Sequence, residues 1–235
     1  MTTDARRIQL QDNLNRTREA VAAACAAAGR APESVRLVAI TKTFPASDAA
    51  ALTGLGQADL GENRDQEAAP KAAELAALGL EPVWHFVGQL QRNKARSVAA
   101  YADWVHSVDR EPLADALDRG AESNGRRLNA LVQVSLDGDT SRGGVPVSGI
   151  ARLAERIAGL GSLDLRGVMA VAPLGWEPAK AFALLNECSE AVRRVDAGAT
   201  EVSAGMSGDF REAVACGATM VRLGRNVLGE REPMA

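Results

Sequence analysis

The segment Arg36-Leu37-Val38-Ala39-Ile40-Thr41-Lys42 decides the fold. Its continuous apolar run has the length and composition of a strand buried on both faces, as strands of parallel sheets are. Successive side chains on a strand point to opposite faces. Val38, Ile40 and Lys42 therefore share one face, and Leu37, Ala39 and Thr41 the other. A lysine is thereby placed at the C-terminal end of a buried strand, where lysine is almost never left unless it is paired or used.

Outward from this segment the pattern repeats. Short apolar runs at 36–41, 57–61, 82–87, 103–107, 128–135, 164–171, 199–203 and 219–223 give eight expected strands. Helical stretches lie between them. Residues 111–123 carry Leu113 and Leu117 four apart, and 147–160 carry Ile150, Leu153, Ile157 and Leu160 as a stripe. Residues 178–195 do the same with Phe182, Leu185 and Val192. Ahead of the first strand, a helix over about 4–28 puts Leu10, Leu14, Val21 and Cys25 on one face, and Gly29 and Pro32 end it. Alternating β and α with eight strands predicts a single (β/α)8 TIM barrel with an extra N-terminal helix, one domain over residues 1–235. An open doubly wound sheet is the second choice, since one miscounted strand breaks the barrel.

Composition narrows the function. The 235 residues are 46% hydrophobic and 24% charged, a globular balance that excludes disorder as the main state. A net charge of −3 and only 3% aromatics argue against nucleic acid as partner. No apolar run approaches the roughly 20 residues of a membrane span. Asp4, Arg6 and Arg7 precede any apolar run, so no signal peptide is expected. Cys25, Cys188 and Cys216 are scattered and odd in number, and with only two histidines a zinc site is not expected. Reduced thiols suit a cytoplasmic location.

Barrel chemistry sits at the C-terminal strand ends, which selects the candidate residues. Lys42 reads either as an amine that forms a Schiff base, activated by desolvation, or as a strand-end lysine reaching for solvent. In the eighth strand Met220, Arg222 and Gly224 share a face opposite Val221 and Leu223. If the latter face the helices, Arg222 points into the barrel beside Lys42, either for function or in a structural ion pair. Gly205-Met206-Ser207-Gly208-Asp209 follows the seventh strand and Gly224-Arg225-Asn226 the eighth, where barrels often hold phosphate. Ser207 is alternatively a helix cap. Asn63 closes the second strand and Ser203 the seventh. His85 shares a face with Val83 and Val87, and it and His106 also read as satisfied core residues. Dinucleotide, hydrolase-elbow and P-loop motifs fail on spacing.

Thr41-Lys42-Thr43, Gly61-Glu62-Asn63-Arg64, Trp84-His85-Phe86-Val87-Gly88, Asn93-Lys94, His106-Ser107-Val108-Asp109, Gly205-Met206-Ser207-Gly208-Asp209 and Met220-Val221-Arg222-Leu223-Gly224 occur in that order. The set resembles the pyridoxal phosphate homeostasis protein family, barrels similar to the N-terminal domain of alanine racemase, over nearly the whole chain. The resemblance implies that Lys42 forms the Schiff base with pyridoxal 5′-phosphate (PLP) and that Arg222 sits at the pyridine nitrogen. It implies that Ser207, in its loop with Met206, and the Gly224 backbone hold the phosphate. It places Asn63, His85 and Ser203 near the cofactor. Three positions depart from the family pattern. Thr41 stands for a serine, Gln89 for a histidine, and Arg225 for a small hydroxyl residue, where it either bonds the phosphate or points to solvent.

An arginine at the ring nitrogen disfavours its protonation and weakens the electron sink. In the alanine racemase family a second base, a tyrosine, comes from a separate C-terminal domain, which this chain is expected to lack. Its one tyrosine, Tyr101, precedes the fourth strand and so belongs to the opposite mouth. The expected function is a monomeric PLP-binding protein that buffers or delivers PLP without efficient catalysis, with PLP-dependent apoenzymes as recipients. The alternatives are a low-activity PLP-dependent amino-acid racemase or related enzyme, and a phosphate-binding barrel enzyme that uses no PLP. Lys71 and Lys94 are read as solvated surface lysines, with a weak second PLP or phosphate contact as the alternative.

Overall fold

Eight parallel strands close on themselves in a computed structural model that describes residues 3–230. Around the ring run β1 (Arg36–Ile40), β2 (Asp59–Glu62), β3 (Val83–Phe86), β4 (Trp104–Val108), β5 (Leu128–Ser135), β7 (Leu163–Met169), β8 (Glu201–Ser203) and β9 (Met220–Leu223). The β4–β5 pairing completes one side, and β9 closes on β1 with Val38 opposite Arg222. The barrel expectation is borne out and the open sheet is not. The sequence did not signal β6 (Val145–Pro146), a two-residue strand on β5 outside the ring. The expected seventh and eighth strands are thus β8 and β9. Met1, Thr2 and residues 231–235 of the expected domain lie outside the described residues.

Strand alternation sorts the side chains as read. Ala39, Leu60, Val221 and Leu223 pack outward against the helix layer. Trp104, Leu131, Met169 and Met220 fill the barrel's centre. The layer comprises α2 (Ala46–Gly54), α3 (Asp65–Ala77), α4 (Ala95–Tyr101), α5 (Glu111–Ser123), α6 (Ile150–Ala158), α7 (Pro178–Val195), α8 (Phe210–Ala215) and α9 (Arg225–Leu228). The stripe on α6 buries Ile150, Leu153 and Ile157, each contributing roughly 1.5–3 kcal/mol of apolar burial.

The first helix, α1 (Asp4–Ala27), lies outside the barrel against α2, α8 and α9. The Thr3 hydroxyl accepts from Arg6 N at its start. Gly29, at φ 67°, reverses the chain at its end, and Arg30 N donates back to Cys25 O. Arg6 ties this helix to the first and last helices of the layer, pairing with Asp48 of α2 and donating to Leu228 O of α9. No helix among the described residues is long and apolar enough to cross a membrane.

Candidate functional site

A cavity of about 580 Å³ opens at the C-terminal mouth, across the seam where β9 meets β1. Pockets of roughly 300–1,000 Å³ suit small molecules. Lys42, Asn63, Met206, Ser207, Arg222, Gly224 and Arg225 all line it, with Ile40 and Gly88 beside them. The β1–β9 pairing is what brings Lys42 and Arg222 together, from opposite ends of the chain.

Lys42 is half-buried and also borders a second cavity toward α2 and α3. The backbone around it is held firmly. Thr43 adopts φ 69°, a strained conformation for a β-branched residue, and its N–H donates to Glu67 Oε2 over 3.1 Å. Behind Thr41 lies a buried ion pair. Lys71 Nζ donates to Glu62 Oε1 and, over 2.9 Å, to the Thr41 carbonyl, while the Thr41 hydroxyl donates to the same carboxylate over 2.6 Å. Burial pushes the Glu62 pKa up, and the nearby Lys71 and Thr41 pull it back. The surface reading of Lys71 is corrected here, since its side chain is 6% exposed beneath α3. Lys94 is more open, 3.8 Å from Asp65.

Arg222 is buried and takes no carboxylate partner among the described residues. Nη1 donates to Ser203 Oγ over 2.6 Å and Nη2 to the Ala170 carbonyl over 2.9 Å. Burial lowers its pKa to about 10, with Asp209 acting in the opposite sense, so the guanidinium stays charged at neutral pH. The structural ion pair considered for Arg222 is therefore absent from the described residues.

Two loops complete the mouth. Gly205, at φ 88°, packs against Phe210 and starts the turn in which Met206 N donates to Asp209 Oδ1 over 2.6 Å. Asp209, not Ser207, occupies the cap position of α8, which leaves Ser207 on the cavity wall. Arg225 is exposed and borders the cavity at the start of α9. On the far side a Cβ at Gly88 would sit 2.0 Å from the Asn63 carbonyl oxygen, so only glycine permits that approach. The Asn63 Oδ1 atom is buried with no hydrogen-bond partner.

His85 and Ser203, expected near the cofactor, do not line the cavity. Both are buried beneath it. His85 stacks on Trp104 with 5.7 Å between ring centroids and bonds Asp59 and His106, while Ser203 supports Arg222. Sequence reasoning missed Asp59, His106 and the Glu62–Lys71 pair as parts of the site's support. Alternation alone puts Asp59 on the inward face with Gly61 and Asn63, and Glu62 on the outward one. Tyr101 ends α4 and borders a groove with Val83 and Asp103, both at N-terminal strand ends, so it sits away from the mouth as read.

Three cations, a serine hydroxyl, three glycines and an unpartnered amide oxygen, against the one carboxylate of Asp209, fit an anionic ligand with polar ring substituents. The model of the alanine racemase N-terminal domain matches residues 9–232. A pyridoxal phosphate homeostasis protein of Mycobacterium leprae is 45% identical over 240 residues, covering 95% of this chain and 93% of its own. This chain belongs to that family. The Escherichia coli K12 member is 36% identical over 94% of this chain and 96% of its own. Among solved structures, PipY from Synechococcus elongatus PCC7942, determined with PLP bound, superimposes with a TM-score of 0.81 at 35% identity, covering 94% of this chain and all of that one.

Proposed function

We propose that this chain binds PLP at the β1–β9 seam and holds it in reserve, buffering or delivering it within the cytoplasm as a monomer. The observation that carries the reading is that Lys42 and Arg222 open onto one cavity, Lys42 just beyond the end of β1 and Arg222 level with Val38 beneath it. Family membership and the PLP-bound relative support it. Bound PLP supplies an aldehyde for an amine and a ring that draws electrons from attached groups.

Lys42 supplies the amine, kept in place by the Thr41 and Thr43 anchors. Ser207, the Gly224 backbone and Arg225 would hold the phosphate, and Asn63 would bind toward the ring. Arg222, a buried cation, would disfavour a proton on the ring nitrogen by repulsion between positive charges. This arrangement suits storage better than turnover. A free amine or a PLP-dependent apoenzyme would be the recipient.

Borohydride reduction with PLP, intact-mass analysis and peptide mapping test the reading. One pyridoxyl group on Lys42, lost in Lys42→Ala, is the expected result. Label scattered over surface lysines overturns it. Rapid, Lys42-dependent exchange of an amino acid's α-proton for deuterium would instead assign the chain to the racemase-like enzymes.

A further inference from the structure

Between the two mouths of the barrel runs a continuous line of polar side chains that the cavity does not use. Asp59 Oδ1, at the N-terminal end of β2, is 2.9 Å from His85 Nε2. His85 Nδ1 is 2.9 Å from His106 Nε2, and His106 Nδ1 is 2.9 Å from Ser203 Oγ. Ser203 Oγ accepts from Arg222 Nη1. Every member except Asp59 is buried; the Asp59 side chain is 20% exposed.

The carboxylate end fixes the direction of every bond along the line, because an ionised carboxylate only accepts. With neutral rings, His85 must carry its proton on Nε2 and give it to Asp59, which leaves His85 Nδ1 to accept. His106 then carries its proton on Nε2 and gives it to His85 Nδ1, and its own Nδ1 accepts the Ser203 proton. The Ser203 oxygen stays free to accept from Arg222, which only donates. Only one pair of tautomers satisfies all four contacts with neutral rings. We propose that Asp59, His85, His106 and Ser203 are positioning residues, a one-way chain of hydrogen bonds that orients Arg222 at the cavity floor and ties its charge to an anion at the opposite mouth.

The surroundings support neutral rings. Burial lowers the pKa of both histidines. From β1, Arg36 adds positive charge 3.8 Å from Asp59 and stacks over Trp104. Arg222 acts in the same sense on His106, while Asp59 and Asp103 oppose it at His85. Asp209 faces Arg222 from the cavity side. With no carboxylate directly on Arg222, the nearest anion along the chain is Asp59. The guanidinium therefore faces the cavity as a cation in a fixed plane.

The cofactor role of this chain rests on the PLP reading, but its bond directions do not. The protein has only two histidines, so both are observable without ambiguity. In the PLP-free, 15N-labelled protein, long-range 1H–15N correlation should show both rings protonated on Nε2 alone from about pH 7.5 to 8.5. A proton on Nδ1 of either ring, or an imidazolium in that range, overturns the one-way chain. With PLP added, Ser203→Ala should weaken binding roughly tenfold, the scale of one lost hydrogen bond to a charged group, and shift the absorption maximum of the adduct. Asp59→Asn, at the partly exposed end, should shift the maximum in the same direction by less. A Lys42 adduct indifferent to both substitutions overturns the positioning role alone. Absence of any Lys42 adduct in the unmodified protein overturns the functional reading, and the cofactor role with it.

Discussion

Lys71 Nζ donates to the carbonyl oxygen of Thr41, the residue immediately before Lys42, over 2.9 Å. One buried cation thus compensates the Glu62 carboxylate and fixes the peptide from which Lys42 springs. Lys71→Met leaves Glu62 buried with no counter-charge, which costs about 3–5 kcal/mol. Thermal unfolding should fall by roughly 10 °C for a chain of this length. Adding Glu62→Gln should recover much of the loss, and a double variant as unstable as the single would show that the pair is not what matters.

Gly88 and Asn63 touch backbone to backbone, with no room for a methyl group. Gly88→Ala should destabilise by about 1–3 kcal/mol, the usual cost of overpacking. It should also move Asn63 away from the cavity and weaken PLP binding, measured by fluorescence titration. Unchanged affinity would remove Asn63 from the site.

Ser207 and Arg225 are assigned to the phosphate, and their effect should depend on it. Ser207→Ala and Arg225→Ala should each weaken PLP binding roughly ten- to a hundredfold, since hydrogen bonds to a charged group contribute about 1.5–3 kcal/mol. Neither should alter the weaker binding of pyridoxal, which lacks the phosphate. Equal losses for both ligands would place these residues elsewhere in the site.

His85 and His106 make stability depend on pH in a defined direction. Both are held below the ordinary value of 6.5 by burial. Below that value the unfolded chain takes up protons that the fold refuses, so their contribution is complete above pH 6.5 and declines as the pH falls beneath it. Melting curves across pH 5–8 should show the decline, and His106→Phe, if folded, should flatten it. A steeper decline in that variant would contradict the assignment.

The barrel was legible because period-2 alternation holds through β1 and β9, so the inward faces of Lys42 and Arg222 follow from Leu37 and Val221 facing the helices. His85 and Ser203 were read onto the inward face, and the structure buries them beneath the cavity instead of on its wall. Alternation tells which face a residue takes and says nothing about the stagger between neighbouring strands, which sets height along the axis. Lys71 was misread for a different reason. On α3, amid alanines and charges, it resembles any surface lysine, and only the packing of that helix over Thr41 and Glu62 buries it. The match between a helix and the strands beneath it is not written in either segment alone.

The clasp made by Arg6, which donates to the carbonyl of Leu228 across 222 positions of sequence, forms only once the strand that completes the cavity is in place. Synthesis proceeds from the N-terminus, so the ribosome delivers Lys42 and α1 long before β9. Until β9 arrives there is no Arg222 at the cavity floor, no loop at Gly224 and no α9 for α1 to close upon. A nascent or truncated chain carries Lys42 without the cavity that β9 completes, and on the proposed reading only a finished, closed barrel captures the aldehyde in the right place.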